Sequence, residues 1–256
     1  MQNKIIISIT SWPPRYQTAH IVFQNIIRQA KVAKLMNRIH IVLVLSEEEA
    51  CDVRFRQDAC VLIRRMEKLN VEVIYDKGNI RSHKKLIPTI EKYPYNPILV
   101  VDDDVIQQDG WLQTFVRDHE AHTEDIIYGQ SNGNISVVDG RIVEQTMRNT
   151  RPGEITVNAK PANGAAGTLY PAHTFTDPRF FDRDLMMQLS PSSDETWQWA
   201  FAKMAGRTYR CLSSHNYPYC FGANQTYALC KENKDHYTEI HNRIADAIPE
   251  YLSSLT

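Results

Sequence analysis

The stretch Ile98-Leu99-Val100-Val101-Asp102-Asp103-Asp104-Val105 decides the fold and locates the candidate site. The apolar residues between Pro97 and the acids predict a fully buried strand. Adjacent carboxylates at its end repel one another unless a cation neutralises them, and divalent cations prefer carboxylate oxygens. Ligands collect at the carboxyl ends of strands in open α/β sheets. The stretch therefore predicts a metal at the end of a central strand, where phosphate oxygens can share it.

The composition is that of a globular protein with room for one large α/β domain. The chain has 256 residues, of which 43% are hydrophobic and 23% are charged. The formal net charge of −1 gives no support to nucleic acid binding, so any phosphate-binding patch must be local. The 5 cysteines form no CxxC pair, which predicts free thiols in a reducing compartment.

The sequence contains no evident export or membrane-spanning signal. The apolar run near the N-terminus is too short for a signal peptide. No apolar stretch approaches the roughly 20 residues that a helix needs to span a bilayer. We therefore expect a cytoplasmic protein that is at most peripherally attached to the inner face of the membrane.

Strands alternate with helices along the first hundred residues. This alternation predicts a parallel sheet built of βαβ units, as in nucleotide-binding proteins. Pro88 is compatible with a short helix if it lies in the first turn. Strands are predicted at 5–9, 39–45, 71–75 and from Ile98, and helices at 17–34, at 46–70 with a break near Gln57, and around 86–90.

The pattern changes after Asp104. We expect a helix over 110–119 capped by Asp109, and a hairpin turn at Asp139-Gly140. No linker or repeat interrupts the chain, so a single domain is predicted. Short strands are expected at 126–128, 135–138 and 141–143, a helix from Ser193 to Met204, and one amphipathic helix from Tyr237 to Tyr251.

A basic segment, Arg81-Ser82-His83-Lys84-Lys85, follows the third predicted strand. Lysine is a point-charge partner for phosphate, and arginine adds a planar fork. Cations at a helix N-terminus oppose the helix dipole, a cost that an anionic ligand offsets. The segment therefore predicts phosphate binding, with a solvated helix start as the structural alternative.

An acidic pair, Asp194-Glu195, opens a later helix beside Trp197 and Trp199. Acids at a helix start also satisfy capping, so a structural role is an alternative. Tryptophan faces suit the apolar faces of sugar rings, and a carboxylate there can take a proton from an acceptor hydroxyl. The pair therefore predicts a catalytic base beside a sugar platform.

The later histidines show no metal-ligand spacing. His173, His215 and His241 stand far apart in the sequence, which favours structural or surface roles. His215, in Ser213-Ser214-His215-Asn216, is the histidine best placed for a metal or phosphate contact.

Five blocks follow one another along the chain. They are Ser8-Ile9-Thr10-Ser11-Trp12-Pro13-Pro14-Arg15, then Arg81 to Pro88, the Asp triplet, Asn163-Gly164-Ala165-Ala166-Gly167-Thr168-Leu169-Tyr170-Pro171, and Ser193 to Ala200. In this order they resemble bacterial glycosyltransferases with the GT-A fold, of the family-2-like, DxD-containing kind found in capsule and surface-polysaccharide clusters. The resemblance covers about residues 4–230.

The resemblance implies a GT-A-like single domain with a Rossmann-like, mixed but mainly parallel sheet. Its nucleotide-sugar-binding half would span 1–104, a smaller acceptor and catalytic half 105–230, and a C-terminal helix 231–256. It also implies a UDP-sugar donor, a glycan or lipid-linked sugar acceptor, and Mn²⁺ or Mg²⁺. His83 and Glu195 depart from the usual pattern, where an aromatic residue and a second Asp are commoner.

The site residues follow from the same resemblance. Asp102 and Asp104 are expected to bind the metal. Asp194 is expected to act as the base in an inverting transfer, with Glu195 beside it leaving the choice of base open. The nucleotide, its ribose and its phosphates are expected to contact Thr10, Trp12, Arg15, Asp76, Arg81, Lys84, Lys85 and Asp103.

Two other classes of protein remain open. A HAD-like phosphatase would use Asp102 as a covalent nucleophile, although that motif usually sits on the first strand and has Thr or Val where this chain has Ile106. A non-catalytic domain that binds nucleotide-sugars or glycans would carry the same binding residues without turnover.

Overall fold

The central sheet of the protein lies between two layers of helices. The computed structural model describes residues 4–146, 150–161, 163–214, 216–220 and 236–256. The strands are β1 (Ile5–Thr10), β2 (Ile39–Ser46), β3 (Glu72–Asp76), β4 (Ile98–Val101), β5 (Val105–Ile106), β6 (Ile126–Tyr128), β7 (Ser131–Val138), β8 (Arg141–Thr146), β9 (Ile155–Thr156), β10 (Ala159–Pro161), β11 (Thr168–Tyr170), β12 (Tyr209–Cys211) and β13 (Tyr219–Cys220).

The helices are short. In the part of the chain that the structure describes, none is both long and apolar enough to cross a membrane. They are α1 (His20–Val32), α2 (Glu47–Cys51), α3 (Arg56–Lys68), α4 (Ile87–Lys92), α5 (Trp111–Ala121), α6 (Asn163–Ala166), α7 (Arg183–Leu189), α8 (Asp194–Met204), α9 (Tyr237–Ala247) and α10 (Pro249–Ser253), with 3₁₀ turns at Pro13–Arg15, Arg81–Lys85 and Pro178–Phe181.

The sheet has eight strands in the order β3-β2-β1-β4-β11-β6-β12-β9. Strands β1 to β4 pair in parallel, β11 runs antiparallel between β4 and β6, and β12 is parallel to β6. The carboxyl ends of β1 to β4, β6 and β12 therefore share one edge, the carboxyl edge. The predicted mixed, mainly parallel α/β domain is confirmed.

Both faces of the sheet are buried, which explains the unbroken apolar runs. Because side chains alternate along a strand, Leu99 and Val101 of β4 pack on the layer of α1 and α5, whereas Ile98 and Val100 pack on the layer of α8, α9 and α10. All four side chains are 3% exposed or less. The predicted central strand is thus the middle of the core.

Several local predictions are confirmed by capping and turn geometry. Ser46 and Ser193 accept hydrogen bonds from the third residue of α2 and α8, respectively. Asp139 and Gly140 have positive φ and join the antiparallel strands β7 and β8 as a tight hairpin. Pro88 lies in the first turn of α4, where a missing N–H costs nothing.

Other local predictions are wrong at their boundaries. Gly110, in the left-handed conformation, precedes α5, and Asp109 instead pairs with Arg28, so Asp109 is not the cap. The expected C-terminal helix is two helices, because α9 ends before Ile248 and Pro249 starts α10. The break in the second helical region lies between Cys51 and Arg56 rather than near residue 57.

The burial of β4 predicts a large cost for truncation there. Val100→Ala removes two methyl groups from a side chain that is 0% exposed, so we expect a loss of about 2 kcal/mol in the free energy of unfolding. Val32→Ala is the matched control, because Val32 is 76% exposed at the end of α1 and should change stability by less than about 0.5 kcal/mol. Equal losses in urea denaturation would contradict this assignment of the core.

Candidate active site

The acidic triplet lies at the carboxyl edge, where protein cations neutralise it. Arg15, in the loop after β1, donates from Nη1 to Asp103 Oδ1 at 2.7 Å and from Nη2 to Asp104 Oδ2 at 2.9 Å. The Ser11 hydroxyl donates to Asp103 Oδ2 at 2.5 Å. Burial raises the pKa of Asp103 above its ordinary value even though Arg15 opposes that rise. The planar fork of Arg15 thus ties the first strand's loop to the triplet.

Lys85 joins the first acid of the triplet to the acidic pair on α8. Its Nζ lies 2.7 Å from Asp102 Oδ1 and 3.2 Å from Asp194 Oδ2, and the side chain is 5% exposed. Burial alone would lower the pKa of Lys85, but the two carboxylates raise it well above its ordinary value. The sequence-predicted residues Lys85, Asp102 and Asp194 are therefore one charged cluster.

A glycine allows Asp102 to occupy its position. A Cβ atom on Gly164 would lie 1.7 Å from Asp102 Oδ1, so no other residue fits there without moving the carboxylate. The Asp102 N–H also donates to the Gly164 carbonyl at 3.0 Å. Gly164, in the block from Asn163 to Pro171, thus faces the Asp102 side chain.

The two neighbouring acids on α8 differ in their protonation. Burial raises the pKa of Asp194, but the neighbouring groups, led by the Lys85 charge, together outweigh burial and lower the pKa below its ordinary value. Glu195 is partly accessible, and burial of its carboxyl raises its pKa to about 7. The Asp194 charge adds to that rise, whereas the Lys160 charge opposes it. Near neutral pH, Asp194 is a fixed anion and Glu195 can gain or lose a proton.

The other residues of the basic segment differ in whether they are exposed to solvent or held by protein groups. Lys84 is 2% exposed, and its Nζ lies 3.0 Å from Glu49 Oε2 and 2.7 Å from Asn79 Oδ1. Arg81 is exposed, has a positive φ of 51°, and makes no ion pair with any residue in the described ranges. His83 is buried and bonds the Ser190 carbonyl through Nε2 at 2.8 Å. Arg81 is thus the segment's accessible cation, and Lys84 is held by the protein.

Asp76 occupies the carboxyl end of β3 and is 4% exposed. Its Oδ1 pairs with Arg183 at 2.8 Å, whereas its buried Oδ2 has no hydrogen-bond partner. Burial raises the pKa of this carboxyl above its ordinary value. An unsatisfied buried acceptor at this edge is what a donor group of a ligand would satisfy.

Thr10 and Trp12 complete the group expected around a nucleotide. The Thr10 hydroxyl donates to the Val44 carbonyl at 2.9 Å, so it is used within the sheet. Trp12 is partly buried in the loop between β1 and Pro13. The structure therefore places the predicted catalytic, metal and nucleotide residues at the carboxyl edge or in a segment that packs on it, where Thr10 and Lys84, like the charges already described, are engaged by protein atoms. The predicted sugar platform is wrong, because Trp197 and Trp199 are 0% and 1% exposed in the core.

The donor atoms of the triplet fit a divalent ion only through Asp102. Within the described residues, no group of three His, Cys, Asp or Glu side chains is close enough to enclose a metal. Asp104 is held by Arg15, whereas the Asp102 side chain is 32% exposed. Mg²⁺ commonly binds one or two carboxylates together with substrate phosphates. Asp102 therefore suits an ion shared with a phosphate ligand, and Asp104 would bind it only by giving up Arg15.

Lys160, a buried lysine near Glu195, was not predicted from the sequence as a site residue. Lys160 Nζ lies 2.9 Å from Glu144 Oε2, and 3.7 Å from the centre of the Tyr237 ring. Glu144 also bonds His241, whose pKa burial lowers to about 4, so this histidine is neutral and structural as expected. An isolated lysine between Ala159 and Pro161 carries no motif that could have indicated this network. His215 lies outside the described residues.

The chain was compared with known proteins. No family model and no curated protein sequence matches it. Among solved structures, S. aureus TarS (residues 1–349) aligns with a TM-score of 0.54 and 16% identity over 95% of this chain and 72% of that one. A protein assigned as a glucose-1-phosphate thymidylyltransferase from Bacillus anthracis, in complex with a sucrose, aligns with a TM-score of 0.50 and 13% identity over 90% and 94%.

A third alignment is with the UTP-bound UGPase of Acinetobacter baumannii, with a TM-score of 0.47 and 13% identity over 98% of this chain and 99% of that one. At such identities the likeness to TarS and to the Bacillus protein concerns the fold alone. The chain therefore shares the mixed, mainly parallel α/β fold of these two proteins, as the GT-A resemblance implied.

The Arg15 cluster predicts a pH-dependent loss of stability. Arg15→Met leaves two nearly buried carboxylates without their cation, so we expect a loss of about 3 to 5 kcal/mol at pH 7. Without Arg15 the pKa of Asp103 rises further, so the variant's native state gains a proton as the pH falls. The loss in urea denaturation should therefore be smaller at pH 5 than at pH 7.

Arg28→Met is the matched control, since Arg28 and its partner Asp109 have side chains that are 51% and 80% exposed. It should cost less than about 1 kcal/mol at either pH. If Arg15→Met destabilises the protein no more than Arg28→Met does, Arg15 does not stabilise the fold by neutralising Asp103 and Asp104.

Proposed function

We propose that the chain is a metal-dependent glycosyltransferase that moves a sugar from a nucleotide-sugar, with a UDP-sugar as the expected donor, to a hydroxyl of a glycan or lipid-linked acceptor in surface polysaccharide synthesis. The observation that carries the proposal is the contact of one buried ammonium, Lys85, with both Asp102 and Asp194. It sets the acid at the end of β4 beside the acids of α8. A diphosphate-binding group and a proton acceptor adjacent to each other are what sugar transfer requires.

The donor half of the proposal rests on the carboxyl edge of β1 to β4. Sharing a fold with TarS and with a protein assigned as a sugar-phosphate thymidylyltransferase supports a nucleotide-sugar ligand. Asp76 Oδ2, buried and without a partner, would accept a hydrogen bond from the nucleotide. Arg81 supplies an accessible guanidinium for the phosphates, and Lys85 supplies fixed positive charge beside the leaving group.

Solvent access and pKa favour Glu195 over Asp194 as the general base. A base must lose its proton near the working pH and reach the acceptor hydroxyl. Asp194 is buried and paired with Lys85, which lowers its pKa, so it is a weak base with an established partner. Glu195 is partly accessible and has a pKa of about 7. Asp194 then serves to position Lys85, and Glu195 takes the proton as the hydroxyl attacks the anomeric carbon.

A metal fits the same arrangement through Asp102. Asp102, with Asp104 as the second predicted ligand, would hold Mn²⁺ or Mg²⁺ together with the donor diphosphate. The ion would supply positive charge that stabilises the departing diphosphate. Lys85, already in place, puts a fixed positive charge 2.7 Å from the Asp102 carboxylate.

Nucleotide binding tests the donor half. We expect UDP with Mn²⁺, at about 100 times its Kd, to raise the Tm by about 5 to 10 °C, and UDP alone to raise it less. Asp102→Asn should abolish the Mn²⁺-dependent part of the shift. Asp109→Asn, at an exposed acid outside the site, should retain the full shift. The metal assignment is wrong if the shift does not depend on Mn²⁺ or if Asp102→Asn keeps that dependence.

The two acids of α8 should separate in kinetics. Glu195→Gln should slow UDP release from a UDP-sugar by about 10²- to 10⁴-fold, because it removes the base. In the wild type, the rate should rise with pH through the pKa of about 7 and then level off, because only ionised Glu195 accepts the proton. This rise should vanish in Glu195→Gln. If Glu195→Gln keeps the wild-type pH profile, Glu195 is not the base.

The competing classes give different products in the same assays. A phosphatase with Asp102 as nucleophile would release inorganic phosphate from p-nitrophenyl phosphate, which we expect the wild type not to do. A binding domain without catalysis would show the UDP-dependent Tm shift but no UDP release from any UDP-sugar. Either result would overturn the proposed transfer.

A further inference from the structure

A second concave site lies at the carboxyl edge, beyond the strands that hold the triplet. It is a cavity of about 320 Å³ at the ends of β6 and β12. A volume in this range is typical of small-molecule sites. None of the described residues that line it is an acid, a lysine, an arginine or a histidine; its polar lining includes Gln130, Ser131, Thr150, Ser214 and Asn216. Among the described residues, a ligand for this cavity therefore meets hydroxyl and amide groups and no formal charge.

The single-turn helix α6 separates this cavity from Asp102. Gly164 of α6 touches the Asp102 carboxylate, and the next residue, Ala165, lines the cavity. Gln107 holds this turn by donating from Nε2 to the Ala165 carbonyl at 3.0 Å. A group bound in the cavity is therefore a near neighbour of a group bound at Asp102, with one turn of backbone between them.

Asn216 lines the cavity and carries a buried side-chain acceptor without a hydrogen-bond partner. Its Nδ2 donates to Gln107 Oε1 at 2.8 Å and lies 3.4 Å from the Ala166 carbonyl, which sets the orientation of the amide. Its Oδ1 is buried and has no hydrogen-bond partner, and the residue is only 7% exposed. Buried acceptors normally have partners, so this oxygen indicates a donor that a ligand would bring. Hydroxyl groups of a sugar are such donors.

The walls of the cavity are anchored before any ligand arrives. Asp118 accepts hydrogen bonds from the N–H and the hydroxyl of Ser213, both at 2.7 Å, next to the Ser214 wall. On the other side, the Thr150 hydroxyl donates to Cys211 Sγ at 3.2 Å. A preformed site loses little freedom when it binds a ligand.

We propose that this cavity binds an uncharged sugar unit of the acceptor, with Asn216 Oδ1 accepting a hydrogen bond from one of its hydroxyls. The identification of this sugar as part of the acceptor rests on the proposed glycosyl transfer. Binding of a neutral sugar in the cavity does not depend on that proposal. Tyr217 lines the cavity and is 72% exposed, so it offers an aromatic face for the apolar face of a sugar ring. The absence of charge in the described lining favours neutral hexoses over uronic or sialic acids, because nothing there would pair with a carboxylate.

Saturation-transfer NMR and titration with methyl β-glycosides test the assignment. The probes are the glycosides of glucose, galactose and N-acetylglucosamine, with methyl β-glucuronide as the charged comparison, each in the presence of UDP. We expect at least one neutral glycoside to bind the wild type and the glucuronide not to bind. Asn216→Leu should weaken that binding about tenfold, the effect of losing one hydrogen bond.

Tyr217→Ala gives a second, independent test, because an exposed side chain can be removed without unfolding the chain. It should also weaken glycoside binding, and Tyr217→Phe should retain it. Tyr95→Ala is the matched control: Tyr95 is 74% exposed and precedes β4, at the opposite edge of the sheet. All variants should keep the UDP-dependent Tm shift.

The possible results separate the two proposals. If UDP binds but no neutral glycoside does, or if the glucuronide binds best, the cavity is not a neutral sugar site. If glycoside binding survives both Asn216→Leu and Tyr217→Ala, the sugar lies elsewhere and the assignment is wrong. If glycosides bind as expected but UDP does not, the sugar site stands and the proposed glycosyl transfer fails.

Discussion

The buried ammonium of Lys85, between Asp102 and Asp194, is the interaction on which the arrangement of the site depends. Burial of these charges is costly, and the cost is recovered only while each charge keeps a partner. The pair of contacts therefore fixes the 3₁₀ turn of Lys85 against both the end of β4 and the start of α8. The core strand and the acid-bearing helix are held together by charge as well as by apolar packing.

The same matching of charges extends across the triplet. Arg15 serves Asp103 and Asp104, while Lys85 serves Asp102, so three adjacent acids coexist at one strand end. A fixed arrangement of buried charges stabilises charge that develops nearby without having to reorganise. Of the three acids, Asp102 has the most exposed side chain, so it is the one that a ligand or an ion can reach most easily.

A divided edge also follows from the topology. Strand β11 runs antiparallel between β4 and β6, so the edge has one group of carboxyl ends at β1 to β4 and another at β6 and β12. The α6 turn, immediately before β11, stands between these groups. Asp102 is on one side, and the cavity, whose described lining carries no charge, is on the other, so a charged and a neutral ligand can be adjacent without competing for the same groups.

The order of the elements could be predicted because its causes are local. Apolar runs bury strands, Ser193 caps α8, and the Asp139-Gly140 turn closes a hairpin, and each depends on residues close in sequence. One boundary was wrong because a distant partner decided it. Asp109 is four-fifths exposed and paired with Arg28 rather than capping α5, and nothing near it in sequence indicates that choice.

The sequence by itself determined a buried strand ending in acids, a basic segment before it and an acidic helix start after it. Only the tertiary structure decided which charges pair, because the partners are far apart in the chain: Arg15 meets the triplet, and Lys85 meets Asp194. Those pairings separate the pKa values of Asp194 and Glu195, which no pattern of residues could distinguish. The distances between side chains, and hence their protonation, follow from the fold and not from the order of residues.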